Sequence, residues 1–352
     1  MPSGKKSSSA VAGAPRRRLT SADVARVVGV SESAVSRAFT PGASVAPKKR
    51  AEILRAAQEL GYQPNIMARA VATRRSNVVG LILFNETNRH HPEVLLALSQ
   101  AFSGLGVRIM LFLLDDDEQI GDVTDHILSY QLDGVIAAAA VPAAHLQQLE
   151  RASVPVLFYN RPAGLGFASV ACDHHASGLV IARHLLDKGH RRFALVRAKE
   201  DSLVGAERMR GVEDELARAG ACIVAEHRGD FAYDDGLVAV TAWADQGVGD
   251  YDAIIAANDM MAIGAKDALV HRLAKSVPDQ IEVAGFDAIE SSRWLSHNIA
   301  SVEQPIEQMA NAAALIMAAQ IKGERLPDEQ LRFPGKLQHA APAGEPSPRT
   351  LP

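Results

Sequence analysis

Two adjoining stretches, Leu19-Thr20-Ser21-Ala22-Asp23-Val24-Ala25 and Gly29-Val30-Ser31-Glu32-Ser33-Ala34-Val35-Ser36-Arg37-Ala38-Phe39, decide the N-terminal fold. Apolar residues recur at helical spacing in both: Ala22, Val24, Ala25, Val27 and Val28, then Ala34, Val35, Ala38 and Phe39. Gly29 leaves room between them only for a tight turn. Thr20 and Asp23 are placed to serve the start of the first helix, and Ser31 to cap the second. A third period follows on Ile53, Leu54, Ala56, Ala57 and Leu60, with Pro47 suited to its first turn and Gly61 to its end. Three such helices, the first two joined tightly, predict an all-α helix-turn-helix unit over 19–63.

The charge distribution agrees. Residues 1–75 carry 14 Lys and Arg against 4 Asp and Glu, a net of +10, whereas the rest carry 23 against 37, a net of −14. The overall −4 therefore conceals a basic block on an acidic body, the footprint of a protein that grips a polyanion with one end. Lys5, Lys6 and Arg16 to Arg18 belong to a small, polar stretch, 1–18, that reads as a disordered basic tail. Arg26, Arg37, Lys48, Lys49, Arg50, Arg55, Arg69, Arg74 and Arg75 fall in or beside the helical periods. After Pro64, Asn65 is a good N-cap for about two turns over 66–73, a helix marginal on its own in water.

From residue 78 strand-like apolar runs alternate with helical patterns. Strands are expected at 78–83, 108–114, 134–138, 155–159, 193–197, 253–256 and 282–286, with helical patterns between them such as 93–105, 178–188, 208–219 and 260–271. That alternation predicts parallel α/β sheets covered by helices on both faces, and the length favours two lobes. Pro-, Ala- and Gly-rich residues from 340 read as a frayed tail.

The quoted head stretches, with Lys49-Arg50 and Leu60-Gly61-Tyr62-Gln63-Pro64-Asn65, closely resemble the DNA-binding head of the LacI/GalR regulators, and the resemblance runs to about residue 335. It implies a type I periplasmic-binding-protein-like sensor behind the head: a first lobe near 77–174 and 304–330, and a second near 175–303 and 331–339. The second helix would lie in the major groove, with Glu32, Ser33 and Arg37 toward base edges. Glu can accept from cytosine N4, Ser can pair with several bases, and Arg can reach guanine O6 and N7 with both fork nitrogens. Thr20, Ser36, Thr40 and Ser44 would contact phosphate, which positions without specifying. A hinge helix and linker would occupy 64–76, with Asn65 at its start, Ala68 and Arg69 along it, and Val71 wedging into the minor groove where the family usually has Leu. Ala46 replaces the usual Ser or Thr cap of the third helix.

In the sensor, the resemblance places Asp173, Arg208, Phe231, Asn258 and Asp287 around an effector, beyond the carboxyl ends of strands where ligands of such sheets bind. Arg208 would open its helix, and Asn85 follows the first sensor strand. Carboxylates accept hydroxyl protons, Arg donates in a fixed fork, and an aromatic ring covers a sugar face. Asn88-Arg89-His90-His91 departs from the family's aromatic pattern, which leaves a plain sugar and a more acidic effector both open, with Arg89 and His90 as candidate contacts. Asn258 and Asp259 also suit helix capping, and Asp287 a structural turn.

The implied partners are an operator DNA duplex, a small effector and a second copy of the chain, with tetramerisation open. Cys172 and Cys222 form neither a disulfide framework nor a zinc motif, no metal or cofactor is expected, and no apolar run is long enough to span a membrane. The absence of an apolar leader and the cysteine usage point to the cytoplasm. No nucleophile elbow, zinc-protease motif or phosphate loop is present, and Gly164-Leu165-Gly166 lacks the third glycine of a dinucleotide fingerprint, so no enzyme is expected. Two further readings are an effector-insensitive or protein-partnered regulator and a solute-binding protein, the latter opposed by the head.

Overall fold

The computed structural model describes residues 19–40, 42–63, 75–85, 91–161, 166–324 and 330–339. Asn65, Ala68, Arg69 and Val71, together with Arg89 and His90, lie outside the described residues. The chain divides into two compact units, one up to Ser76 and one from Asn77.

In the first unit, α1 (Ser21–Val28), α2 (Glu32–Ala38) and α3 (Pro47–Leu60) form where the apolar periods predict them. Asp23 accepts from both the backbone N–H and the hydroxyl of Thr20 (both 2.9 Å), which closes the start of α1. Gly29 ends α1 in the left-handed conformation (φ 69°). Ser31 caps α2 by accepting from the Ala34 N–H. Ala46 gives α3 no side-chain cap, and Pro47 supplies the preset first turn instead. Val24, Ala25, Val35, Ala38, Ile53 and Ala57 form the core, bordered by Phe39 and Tyr62 in edge-to-face contact.

The second unit begins with β1 (Val78–Phe84), α4 (Pro92–Gly104), β2 (Arg108–Leu114), α5 (Ile120–Ser129), β3 (Gly134–Ala137), α6 (Ala143–Arg151), β4 (Val156–Tyr159) and β5 (Ala168–Asp173). It continues with α7 (His174–Asp187), β6 (Arg192–Arg197), α8 (Leu203–Arg218), β7 (Cys222–Arg228), α9 (Tyr233–Asp245), β8 (Ala253–Ala256), α10 (Asp259–His271) and β9 (Glu282–Asp287). The last elements are β10 (Ala300–Glu303), α11 (Ile306–Ile321), β11 (Gln330–Pro334) and β12 (Lys336–Gln338). One sheet has the order β11-β5-β4-β3-β1-β2 and is parallel throughout; the other has the order β12-β10-β9-β8-β6-β7, with only β12 antiparallel. Central strands such as Gly134–Ala137 and Ala253–Ala256 are buried along their whole length, which is why they read as unbroken apolar runs. No described helix is long and apolar enough to cross a membrane.

Two sequence expectations need correction. The resemblance puts the second lobe's return at 331, but Gln330–Pro334 pairs with β5 of the first sheet, and only from Lys336 does the chain join the second. Leu331 and Phe333 pack on the first lobe's core, and the crossing falls at Gly335, where a Cβ would collide with Val302 and Ser177. Arg208 does not open its helix. Ser202 caps α8 by accepting from the Gly205 N–H, so Arg208 stands in the second turn.

Helices α7 and α8 touch backbone to backbone at Gly178 and Gly211. A Cβ on Gly178 would overlap the Arg208 carbonyl, and one on Gly211 the His175 carbonyl. This approach fixes the helix that carries Arg208 against the one that begins with His174. Gly211→Ala is therefore expected to cost about 3 kcal/mol in urea unfolding, the upper range for overpacking a rigid contact. Gly249→Ala, at an open position, should change stability by less than about 0.5 kcal/mol.

Candidate functional site

In the head, α2 buries Val35 and Ala38 and leaves Glu32, Ser33, Ser36 and Arg37 exposed. Thr20 and Ser44 are exposed too, and Thr40 is half-buried with its hydroxyl donating to the Ser36 carbonyl. Among the described residues the Arg37 guanidinium has no hydrogen-bond or ion-pair partner, so its fork is free. Glu32 is engaged, because its carboxylate accepts from the Ser21 hydroxyl at 2.8 Å and thereby joins the starts of α2 and α1. Ser33 shares a hydrogen bond with Ser31 at 2.9 Å. Two basic residues of the block serve the head itself. Arg50 donates to the carbonyls of Ala43 (2.8 Å) and Thr40 (3.2 Å), and Lys49 to that of Val28 (3.3 Å).

In the second unit, the polar centre is a buried pair at the carboxyl end of β9. Asp287 and Arg208 are 8% and 3% exposed. The guanidinium meets the carboxylate through both terminal nitrogens, Nη2 to Oδ1 and Nη1 to Oδ2 (3.3 Å). Nη1 also donates to the Ala257 carbonyl at 2.7 Å, and the Phe286 ring lies 5.0 Å from the guanidinium carbon. Burial pushes the Asp287 carboxyl up, but the charge of Arg208, then that of His91, and hydrogen bonds from Arg208 and Gln304 hold it down at about 2.

The pair closes a ring of five side chains. Arg208 Nε approaches His174 Nδ1 (3.4 Å), and His174 Nε2 approaches Asn160 Oδ1 (3.1 Å). Asn160 Nδ2 donates to Gln304 Oε1 (2.7 Å), and Gln304 Nε2 donates to Asp287 Oδ1 (2.5 Å). Donors and acceptors agree around the ring only if His174 is neutral with its proton on Nε2. Burial, reinforced by the charge of Arg208, depresses the His174 pKa to about 3, which keeps the ring neutral. Asn160 lies at the end of β4 in the first lobe, His174 begins α7, and Gln304 follows β10, so the ring straddles the passages between lobes.

The expected site residues divide. Arg208 and Asp287 meet. Asn258 caps α10 by accepting from the Met261 N–H and donates to the Phe231 carbonyl at 2.9 Å, holding Phe231 in the left-handed region (φ 65°). Asp173 instead caps α7, accepting from the Ala176 N–H at 2.9 Å. Asn85 donates to Asp115 at 3.1 Å in the first lobe. Neither hydrogen-bonds the ring. Asp259 is a framework carboxyl that accepts from Ser301 (2.6 Å) and the Ile289 N–H (2.9 Å). Sequence reasoning passed over His174, Asn160 and Gln304 as ring members, although the strand-end rule that selected Asp287 applies equally to Asn160 and Gln304. Among the described residues no group of His, Cys, Asp and Glu is arranged to hold a metal ion.

A helix-turn-helix head and a two-lobed body with a polar centre at its strand ends define a transcription regulator with a periplasmic-binding-protein-like domain. Residues 20–65 match the model for bacterial regulatory proteins of the lacI family, and 182–338 that for the periplasmic binding protein-like domain. The chain is 30% identical to the HTH-type transcriptional regulator CelR of Thermobifida fusca over 322 residues, covering 88% of this chain and 94% of that one. A solved CelR–cellobiose complex matches with 28% identity and a TM-score of 0.68, over 91% of this chain and 98% of that one. The lac repressor dimer bound to operator and an anti-inducer has the same fold, with a TM-score of 0.82 at 23% identity over 91% and 98%. The chain belongs to the LacI family of bacterial regulatory proteins, whose members are transcription regulators and not enzymes.

His91, ahead of α4 in the first lobe, brings Nε2 to 3.6 Å from Asp287 and Nδ1 to 3.4 Å from Glu93. Burial opposes charge on His91, and Arg208 does too. The Glu93 hydrogen bond and the charges of Asp287 and Glu93 outweigh both and raise its pKa above 6.5. The stabilisation from this inter-lobe contact is therefore complete below pH 6.5 and lost as pH rises through the raised value. The Tm advantage of the wild type over His91→Gln should accordingly shrink as the pH is raised above 6.5, and a constant difference would show that the imidazolium plays no part.

Proposed function

We propose that the protein is a cytoplasmic repressor that binds a roughly two-fold symmetric operator as a homodimer, and that an uncharged polyhydroxy compound at the Arg208–Asp287 centre alters that binding. The observation that carries the reading is the division of α2, with Val35 and Ala38 in the core and Ser33, Ser36 and Arg37 exposed beside one another. An α-helix fits the major groove, and an unengaged Arg fork is the side chain that best pairs guanine there. Arg37 is the principal base reader and Ser33 a secondary one. Glu32 reads a base only after leaving Ser21, while Thr20, Ser36, Thr40 and Ser44 position the backbone. Two heads on one symmetric site demand a dimer, in keeping with the lac repressor dimer on its operator.

Charge supports the uncharged ligand. Arg208 is matched by Asp287, and His91 stands between Asp287 and Glu93, so this centre presents no unbalanced cation to a carboxylate or phosphate. The cellobiose bound by CelR is a compound of the proposed kind. Asn258 and Phe231, placed at neighbouring strand ends, supply further polar and aromatic surface. The ligand changes DNA affinity only by binding one arrangement of the lobes better than another.

Selection of random duplexes by the purified protein tests the DNA reading. A palindromic consensus is expected, and Arg37→Ala should lose one G·C preference per half-site at a cost of about 1–3 kcal/mol. Salt-sensitive binding without a consensus would contradict it.

A further inference from the structure

Arg208 carries five N–H donors. Four are engaged inside the protein, by His174, the Ala257 carbonyl and the two oxygens of Asp287. Recognising a carboxylate or phosphate with the guanidinium fork requires two parallel N–H groups, whereas a hydroxyl needs one. The donor that decides between these outcomes is Nε–H, because Nε and Nη2 share one edge of the guanidinium and together form such a fork. His174 accepts that Nε–H, and its own Nε2–H runs on through Asn160 and Gln304 to Asp287. His174 is almost wholly buried, at 1% exposed, and its helix is locked to α8 by the Gly178–Gly211 approach, so the acceptor cannot easily retreat.

We infer that His174 is a specificity-determining positioning residue: by occupying Arg208 Nε–H within the ring, it denies the guanidinium fork to acidic ligands and leaves a single donor suited to a hydroxyl. This rests on the reading of the Arg208–Asp287 centre as the effector site. His174 acts through Arg208 and need not touch the ligand. The three residues behind Arg208 have the same purpose. Asn160 orients the imidazole by accepting its Nε2–H, Gln304 turns the Asn160 amide, and Asp287 ends the chain of donors by accepting from Gln304.

Two measurements on the full-length protein test this. The first is solvent exchange of the Arg208 Nε–H in nitrogen-15 arginine-labelled protein, with the resonance assigned by its loss in Arg208→Lys. Exchange should be at least about tenfold faster in His174→Phe, because a hydrogen bond to a charged donor is lost. His174→Gln, which keeps one acceptor for Arg208 and one N–H for Asn160, should restore much of the protection. The second is calorimetric titration with cellobiose and with cellobionate, its carboxylate counterpart. The wild type should prefer cellobiose, and His174→Phe should narrow that preference by about tenfold while His174→Gln retains it. Unchanged exchange in His174→Phe, or equal affinity of the wild type for both sugars, overturns the inference. Failure of every variant to bind either sugar overturns the sugar-site reading on which the specificity claim rests, while the exchange rates still decide whether His174 holds Arg208.

Discussion

A guanidinium and a carboxylate buried to within a few per cent of full exclusion need partners inside the protein, and Arg208 with Asp287 impose that requirement on the elements around them, four of the five Arg208 N–H groups being engaged. Losing one partner of such a pair costs about 3–5 kcal/mol, because an uncompensated charge stays behind. The remaining members of the ring meet the requirement from both lobes. Backbone geometry follows the same demand. Asp287 (φ 100°) and Asn160 (φ 54°) both occupy the left-handed region that side chains other than glycine usually avoid, a cost of order 1–3 kcal/mol each that a rigid surrounding must offset. A centre held this way is preorganised, and whatever binds there meets side chains that are already in place.

The head solves a different problem. A unit this small has little apolar surface to bury, so its core of Val24, Ala25, Val35, Ala38, Ile53 and Ala57 needs polar support. Lys49 and Arg50 give that support by binding backbone carbonyls near the ends of α1 and α2. Positive charge is thus used twice. Some cations hold α2 in place, and Arg37 remains available on its exposed side.

Local signals made most of this legible in the sequence. The helices of the head were readable because caps, Gly29, Pro47 and apolar spacing lie within a few residues of one another, and β3 and β8 because buried central strands are continuous apolar runs. Tyr233–Asp245 was passed over, since Gly236 and its Val and Thr residues weaken a helical reading that only packing against α10 restores. Strands β11 and β12 are short edges whose sheet is set by the partner strand, which displaced the expected lobe boundary. Arg208 and Asp287 could be found from strand-end position and resemblance. Strand-end position flags Asn160 and Gln304 as well, but not their closure into a ring with His174, because the three meet only after both lobes are assembled.

If the Arg208–Asp287 pair sets the lobe arrangement that governs DNA binding, that link is open to direct measurement without any ligand. Fluorescence anisotropy should compare the wild type and Asp287→Asn, both confirmed to be folded, on the selected operator duplex and on a random duplex of equal length. The expected result is an operator affinity that changes by about tenfold, equivalent to about 1.4 kcal/mol, with random-duplex binding unchanged. Identical operator affinities for the two proteins would show that the pair is only a structural support and would contradict the coupling of the buried centre to DNA.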